Sequence, residues 1–143
     1  QCANCAGVVD ELRGADRMNN FSYDDAYTPP APSCTVTLIA PSSKQRFTVN
    51  VFIDTGADAS IIPLHYLQEI GARRVSETGL RSQWGERRRV FLYLVDMQIA
   101  DVTLNGLYVV ADEIGDECIL GRDALNQLRL LLDGPAAVAQ LLT

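Results

Sequence analysis

The sequence is poor in histidine, in tryptophan and in long apolar runs. Its 143 residues include one histidine and one tryptophan. Because His65 has no serine or cysteine arrangement near it, a catalytic triad of the Ser-His or Cys-His type is not predicted. The longest clean apolar run, Val90 to Val95, is far shorter than the roughly 20 residues of a membrane-spanning helix. Glycine-rich phosphate-binding loops and repeats of fixed period are also absent.

The length and the composition are those of one domain with a substantial core. Apolar residues make up 48% of the chain, and the formal net charge is −6. An acidic chain of this kind is not expected to bind nucleic acid. The first residue is Gln1 rather than methionine, which indicates a processed chain or a piece of a longer protein. The localisation therefore stays unknown, and a membrane anchor outside this chain stays open.

The four cysteines give no clear metal site. Cys2 and Cys5 have the C-x-x-C spacing of half a zinc site, but no second pair follows and His65 is distant in the sequence. We therefore predict no metal and no cofactor. Two ordinary thiols are the favoured interpretation of this pair, and a disulfide is the next alternative. The state of Cys34 and Cys118 is not indicated.

Residues 1–33 differ in amino-acid composition from the rest of the chain. They contain several acids and glycines and end in the stiff run Thr28-Pro29-Pro30-Ala31-Pro32-Ser33. We predict a flexible N-terminal arm or a propeptide remnant over 1–33, and one domain over 34–143. From Cys34 onward, short apolar runs separated by turn residues predict an all-β fold.

Within that domain the patterns predict individual strands and helices. Asn105-Gly106 suits a tight hairpin turn between Val102–Leu104 and Leu107–Val110, and Gly71 would end a helix that begins at Leu64. The other expected elements are strands over 35–39, 46–52, 90–100 and 118–120, a helix over 123–128, and a terminal strand pair over 128–133 and 136–142.

The tetrad Asp54-Thr55-Gly56-Ala57 carries the most specific chemistry. It follows an apolar run that ends at Ile53. A carboxylate at the end of a strand, then a hydroxyl and a glycine, form the loop that an aspartic protease requires. Two such carboxylates close together share one proton: the charged one activates a water, and the protonated one donates to the developing oxyanion. The sequence supplies one loop, whereas the chemistry needs two.

A second motif strengthens this interpretation. Ile119-Leu120-Gly121-Arg122-Asp123 lies after several predicted strands. In the order and spacing of the two motifs, residues 35 to 142 resemble the retropepsin-like aspartic proteases, a family with viral, cellular and small bacterial members. The resemblance implies a closed all-β barrel with one short late helix. It also implies activity as a homodimer, with one D-T-G loop from each chain.

The resemblance further implies roles for individual residues. Asp54 would be the catalytic aspartate, Thr55 the threonine that interlocks the two loops, and Gly56 the residue that accepts the substrate backbone. Gly121 would let the late helix pack under the active loop, and Arg122 would form an ion pair beside it. The residues expected to bind substrate are Ala57, Asp58, Ile61, Trp84, Gly85 and Ile119.

Between the two motifs the resemblance implies a flap, a mobile hairpin that closes over substrate and excludes water. The candidate segment runs from Thr78 to Val90, with Trp84-Gly85 at its tip. Trp84 either presses on the substrate or packs on the inner face of the hairpin. Six arginines between residues 72 and 90 make this region basic. A solvated strand edge is the favoured interpretation. Attraction of acidic peptides, RNA or a membrane surface is the alternative.

The leading prediction is a homodimeric aspartic endopeptidase that cuts extended peptides between mostly apolar residues. Its partners would be a second copy of the chain and a peptide or protein substrate, held partly as an added strand. Two alternatives stay open. One is a non-catalytic retropepsin-like module for dimerisation or peptide binding, and the other is the protease domain of a retroelement polyprotein.

Overall fold

The computed structural model describes residues 19–81 and 87–143, and this part of the chain is mostly β. Two short helices lie within these ranges, α1 (Leu64–Glu69) and α2 (Arg122–Leu125). The strands are β1 (Asn20–Ser22), β2 (Ser33–Ile39), β3 (Arg46–Ile53), β4 (Ile61–Pro63), β5 (Arg73–Arg81), β6 (Arg87–Ile99), β7 (Val102–Asp112), β8 (Ile119–Leu120), β9 (Arg129–Asp133) and β10 (Val138–Leu142). The predicted all-β fold is confirmed.

The larger sheet closes on itself. Its strand order is β2-β3-β8-β4-β7-β6-β5, and β2 also pairs with β6. The 13-residue β6 pairs with β5 as far as Leu94, and its residues 96–98 pair with β2. A register shift between Val95 and Met97 lies at this change of partner. A register shift of this kind is typical of a β-bulge, which increases the local twist of the strand.

The predicted hairpin at Asn105-Gly106 is wrong, because β7 is one continuous strand through both residues. The chain reverses instead between β6 and β7, where Ala100 has a φ of 53°. Gly106 has a φ of 71°, and its N–H donates to Asp96 Oδ1 at 2.8 Å. Since Asp96 lies in the bulge of β6, the glycine accommodates an irregular pairing rather than a turn.

The core lies inside the closed sheet and follows the alternation of the strands. In β3, Val49, Val51 and Ile53 are buried while the residues between them are exposed or half-buried. Helix α1 adds the buried Leu67, and Gly71 follows it with a φ of 68°, as the sequence predicts. No helix in the described ranges is long and apolar enough to cross a membrane.

The smaller sheet joins the two ends of the described chain in the order β1-β10-β9. The predicted terminal strand pair is confirmed as β9 and β10. Strand β1 belongs to the segment predicted as an arm, yet it pairs with β10. Beyond β1, Asp24 and Ala31 exchange backbone hydrogen bonds of 2.8 and 3.0 Å, and Ile53 donates to the carbonyl of Pro32 at 2.9 Å. Residues 20–33 are thus attached to the domain at several points.

Candidate active site

The Asp54 loop begins where β3 ends beside β8. The N–H of Asp54 donates to the Leu120 carbonyl at 3.0 Å, so the aspartate continues the parallel pairing of these strands. Its Oδ1 accepts the Gly56 N–H at 2.9 Å, and its carbonyl accepts the Ala57 N–H at 3.2 Å. The backbone of the loop therefore orients the carboxylate. Asp54 is half-buried, whereas Thr55 and Gly56 are exposed.

The late motif packs directly under this loop. The N–H of Arg122 donates to the Ala57 carbonyl at 2.9 Å, and its Nη1 donates to the Thr55 carbonyl at 2.8 Å. Its Nη2 is bound to Asp58 Oδ1, the ion pair that the resemblance implies. A Cβ built on Gly121 would lie 2.5 Å from the carbonyl carbon of Ala59. Only glycine therefore lets the two segments approach this closely.

Two polar residues that sequence reasoning missed join the same segments. Ser60 is fully buried, and its Oγ donates to Asp123 Oδ1 at 2.7 Å and accepts the Gly121 N–H at 3.0 Å. Asp123 Oδ1 also accepts the N–H groups of Ser60 and Ala124, at 3.0 and 2.8 Å. Among the described residues, the buried Asp123 Oδ2 has no hydrogen-bond partner. These bonds join residues 61 and 63 positions apart in the sequence, so only the structure shows them.

Two of the expected substrate-contacting residues, Ile61 and Ile119, form a row with Phe52 beside the loop. Ile119 pairs in register with Phe52 on one side and with Ile61 on the other. All three are half-buried, while the next residue in each strand is buried. Because residues in register share a face of a sheet, the row faces away from the core, on the same face of β3 as Asp54. Trp84 and Gly85 lie outside the described residues, and β5 and β6 pair up to Arg81 and Arg87 on either side of them.

Burial and charge affect three titratable groups near these segments. Desolvation raises the pKa of Cys34 to about 12. Desolvation, reinforced by Glu117 and Asp116, raises the pKa of Cys118 to about 11. The Tyr27 hydroxyl donates to Glu117 Oε2 at 2.9 Å, and this bond, followed by desolvation, raises the tyrosine pKa. All three groups are therefore neutral near pH 7.

No group of three or more His, Cys, Asp or Glu side chains within the described ranges is arranged to hold a metal ion. Cys2 and Cys5, the half zinc motif of the sequence, lie outside those ranges.

Comparison with protein families identifies the two motifs as parts of one pattern. The model of the family described as "gag-polyprotein putative aspartyl protease" matches residues 43–127, more than half of the 143-residue chain. This match contains both the Asp54 loop and the Gly121-Arg122 motif. The chain belongs to this retropepsin-like aspartyl protease family. Membership supports protease activity in general terms, and a search of curated proteins gave no match.

Three solved structures are similar to this chain, and the first of them shares its fold. EIAV protease complexed with the inhibitor HBY-793 is 23% identical, with a TM-score of 0.52 over 68% of this chain and 86% of that one. The retroviral protease-like domain of Ddi1 from Leishmania major is 16% identical, with a TM-score of 0.45 over 78% and 95%. A retropepsin-like aspartic protease from Rickettsia conorii is 12% identical, with a TM-score of 0.47 over 78% and 92%.

Proposed function

We propose that this retropepsin-like chain is an aspartic endopeptidase that acts as a homodimer, with one Asp54 from each copy in a single hydrolytic centre. The observation that carries the proposal is the Asp54 loop itself. Its carboxylate is oriented by the Gly56 N–H at 2.9 Å, and the loop is held from below by Arg122. This is a preorganised carboxylate at the end of a strand, which acid–base hydrolysis requires.

The second carboxylate is best supplied by a second copy. The two other acids of these segments are already engaged: Asp58 binds Arg122, and Asp123 accepts three hydrogen bonds from Ser60 and Ala124. Among the described residues, neither acid forms a hydrogen bond with the Asp54 carboxylate, whose bond is to the Gly56 N–H. A two-fold axis beside Asp54 would place two identical loops face to face, which is the simplest closed symmetry for such a site.

In this centre the two carboxylates would hold one proton between them, because two like charges about 3 Å apart cannot both persist. The charged member takes a proton from a bound water, which attacks the scissile carbonyl. The protonated member donates to the developing oxyanion, which gives a tetrahedral diol. The C–N bond then breaks as the carboxyl that took the water proton passes it to the amine nitrogen, while the other carboxylate takes a proton from a diol hydroxyl, so the pair again holds one proton. The exposed Thr55 is available to bond with its counterpart, and the exposed Gly56 leaves room for the substrate backbone.

The terminal sheet offers a strand edge at which two copies of the chain would pair. In the order β1-β10-β9, strand β9 is an edge within the described part of the chain. Leu131, Leu132 and Leu142 of β9 and β10 are 49%, 43% and 44% exposed. An open strand edge with exposed leucines favours pairing with another strand. We assign this edge to the second copy of the chain.

The substrate would be an extended peptide lying between the Asp54 loop and the β5–β6 hairpin, whose tip would act as the flap. The half-buried row of Phe52, Ile119 and Ile61 offers apolar surface to its side chains. An extended peptide in such a cleft satisfies its backbone groups as an added strand does. The flap would exclude water from the reaction.

A peptide-library cleavage screen with wild type and Asp54→Asn tests this function. Asparagine keeps the size of the side chain and its acceptor oxygen but cannot exchange the proton. We expect the wild type to cut a subset of peptides and the variant to bind the same peptides without cutting them. Peptide binding without cleavage by the wild type would favour the non-catalytic module instead, and cleavage retained in Asp54→Asn would contradict the assignment of Asp54.

A further inference from the structure

A loop outside both motifs lies on the face that carries Asp54. Side chains two residues apart on a strand share a face, so Phe52 and Asp54 project to the same side of β3. Phe52 is in register with Ile119 of β8, and Glu117 precedes Ile119 by two residues. The Tyr27 ring packs against Phe52 with a centroid distance of 5.6 Å, and its hydroxyl donates to Glu117 at 2.9 Å. Tyr27 therefore connects Phe52 of β3 with Glu117, beside the Asp54 loop.

Tyr27 is held in this place by the backbone of its own loop. Asp24 and Ala31 close the loop with two backbone hydrogen bonds, and the Asp24 carboxylate accepts the Ala26 N–H at 3.0 Å. On the far side, the Pro32 carbonyl accepts the N–H of Ile53, the residue before Asp54. The loop that carries Tyr27 is thus fixed beside the Asp54 loop, although it belongs to the segment predicted as an arm.

The three side chains combine two features that recognise a cation. Glu117 is exposed and, among the described residues, has no salt-bridge partner; its contact is the hydroxyl of Tyr27. The Tyr27 ring, whose hydroxyl binds this carboxylate, packs against Phe52, and both residues are half-buried. A carboxylate attracts an ammonium or guanidinium group, and aromatic faces attract the same groups through their quadrupoles. An apolar substrate side chain at this place would form no ion pair with the Glu117 carboxylate.

We propose that Tyr27, Phe52 and Glu117 form a subsite for a basic side chain, lysine or arginine, of the peptide substrate. The inference rests on the proposed endopeptidase function and deepens it. Tyr27 orients the carboxylate by its hydrogen bond and covers the stem of the bound side chain with its ring. Glu117 pairs with the charged head. Both are specificity-determining residues, and neither takes part in the chemistry at Asp54.

The test uses matched peptides that carry arginine or its neutral isostere citrulline at each position flanking the cut. In the wild type, one position should show a kcat/KM ratio of arginine to citrulline of about fivefold to tenfold, from an ion pair plus a cation–π contact. Glu117→Gln should bring this ratio close to one. Tyr27→Phe keeps the ring and removes the hydroxyl, and should lower the ratio only about twofold.

Glu113→Gln is the matched control, because it removes the same charge from the same exposed loop away from Tyr27. It should keep the arginine preference. An equal loss in both variants would mean that general attraction to an acidic surface, rather than a subsite, selects arginine, and would overturn the proposal. The absence of an arginine preference at every position would do the same.

Binding to Asp54→Asn separates this inference from the proposed function. The uncut arginine and citrulline peptides are titrated by fluorescence anisotropy with Asp54→Asn and with the Asp54→Asn, Glu117→Gln double variant. A preference for arginine that the double variant lacks supports the subsite even if the wild type cuts nothing. Cleavage by the wild type without any such preference keeps the endopeptidase and rejects the subsite. Failure of both peptides to bind rejects the subsite.

Discussion

Gly121→Ala is the substitution whose effect follows most directly from the geometry. Gly121 has φ −98° and ψ −174°, an extended conformation that alanine adopts without strain. Space is the only obstacle: the new Cβ would lie 2.5 and 2.6 Å from the carbonyl carbon and oxygen of Ala59, and 3.0 Å from the oxygen of Ala57. These are backbone atoms and cannot rotate away. The Asp54 loop or helix α2 must therefore move.

Forced movement of a packed backbone costs about 1–3 kcal/mol of the free energy of unfolding. For a domain of this size each kcal/mol lowers Tm by roughly 3 °C, so we expect a loss of about 3–9 °C. Thermal unfolding at a fixed protein concentration measures it, because a dimer's Tm depends on concentration. Turnover should fall as well, since the displaced Ala57 lies three residues from Asp54.

Gly134→Ala is the matched control. Its Cβ would meet no atom within 4 Å, so its stability should stay within about 0.5 kcal/mol of the wild type. If Gly121→Ala unfolds at the wild-type temperature, or no lower than Gly134→Ala, the close packing of the two motifs is refuted.

Two further predictions concern buried groups. Ser60→Ala removes the acceptor of the Gly121 N–H and should cost about 1–3 kcal/mol of unfolding free energy, since a buried donor is left unpaired; a urea midpoint equal to that of wild type would contradict it. Cys34 and Cys118 have pKa values raised from 9.0 to about 12 and about 11. As the pH rises, the two thiols ionise in the unfolded chain before they ionise in the folded chain. The free energy of unfolding is therefore unaffected by these thiols below about pH 9 and falls as the pH rises towards 11–12. Iodoacetamide followed by peptide mapping should label neither thiol in the folded protein at pH 8, and rapid labelling there would refute the burial.

The elements that depend on local pattern were predictable from the sequence. Alternation in β2 and β3, the end of α1 at Gly71 and the terminal pair β9–β10 are set by neighbouring residues. The hairpin predicted at Asn105-Gly106 was wrong because the conformation of Gly106 depends on Asp96, which accepts its N–H from the adjacent strand. A two-residue turn signal carries no information about a bulge in the partner strand.

The candidate site divides in the same way. The Asp54 loop and the Gly121-Arg122 motif are contiguous in sequence and were visible as motifs. The bond from Ser60 to Asp123 spans 63 residues, and that from Tyr27 to Glu117 spans 90. Such contacts follow from the closure of the sheet, which no local pattern encodes. The proline-rich run after Tyr27 predicted a connector, whereas Tyr27 packs against Phe52 and binds Glu117.

The central claim is that two Asp54 carboxylates from two copies make one centre, and mixing tests it most directly. Wild type and Asp54→Asn are combined in varied proportion at constant total concentration, given time to exchange subunits, and assayed on one cleaved peptide. If each centre needs both aspartates, activity follows the square of the wild-type fraction, and an equal mixture retains about one quarter of the activity. Activity proportional to the wild-type fraction, with about one half retained, would contradict the claim.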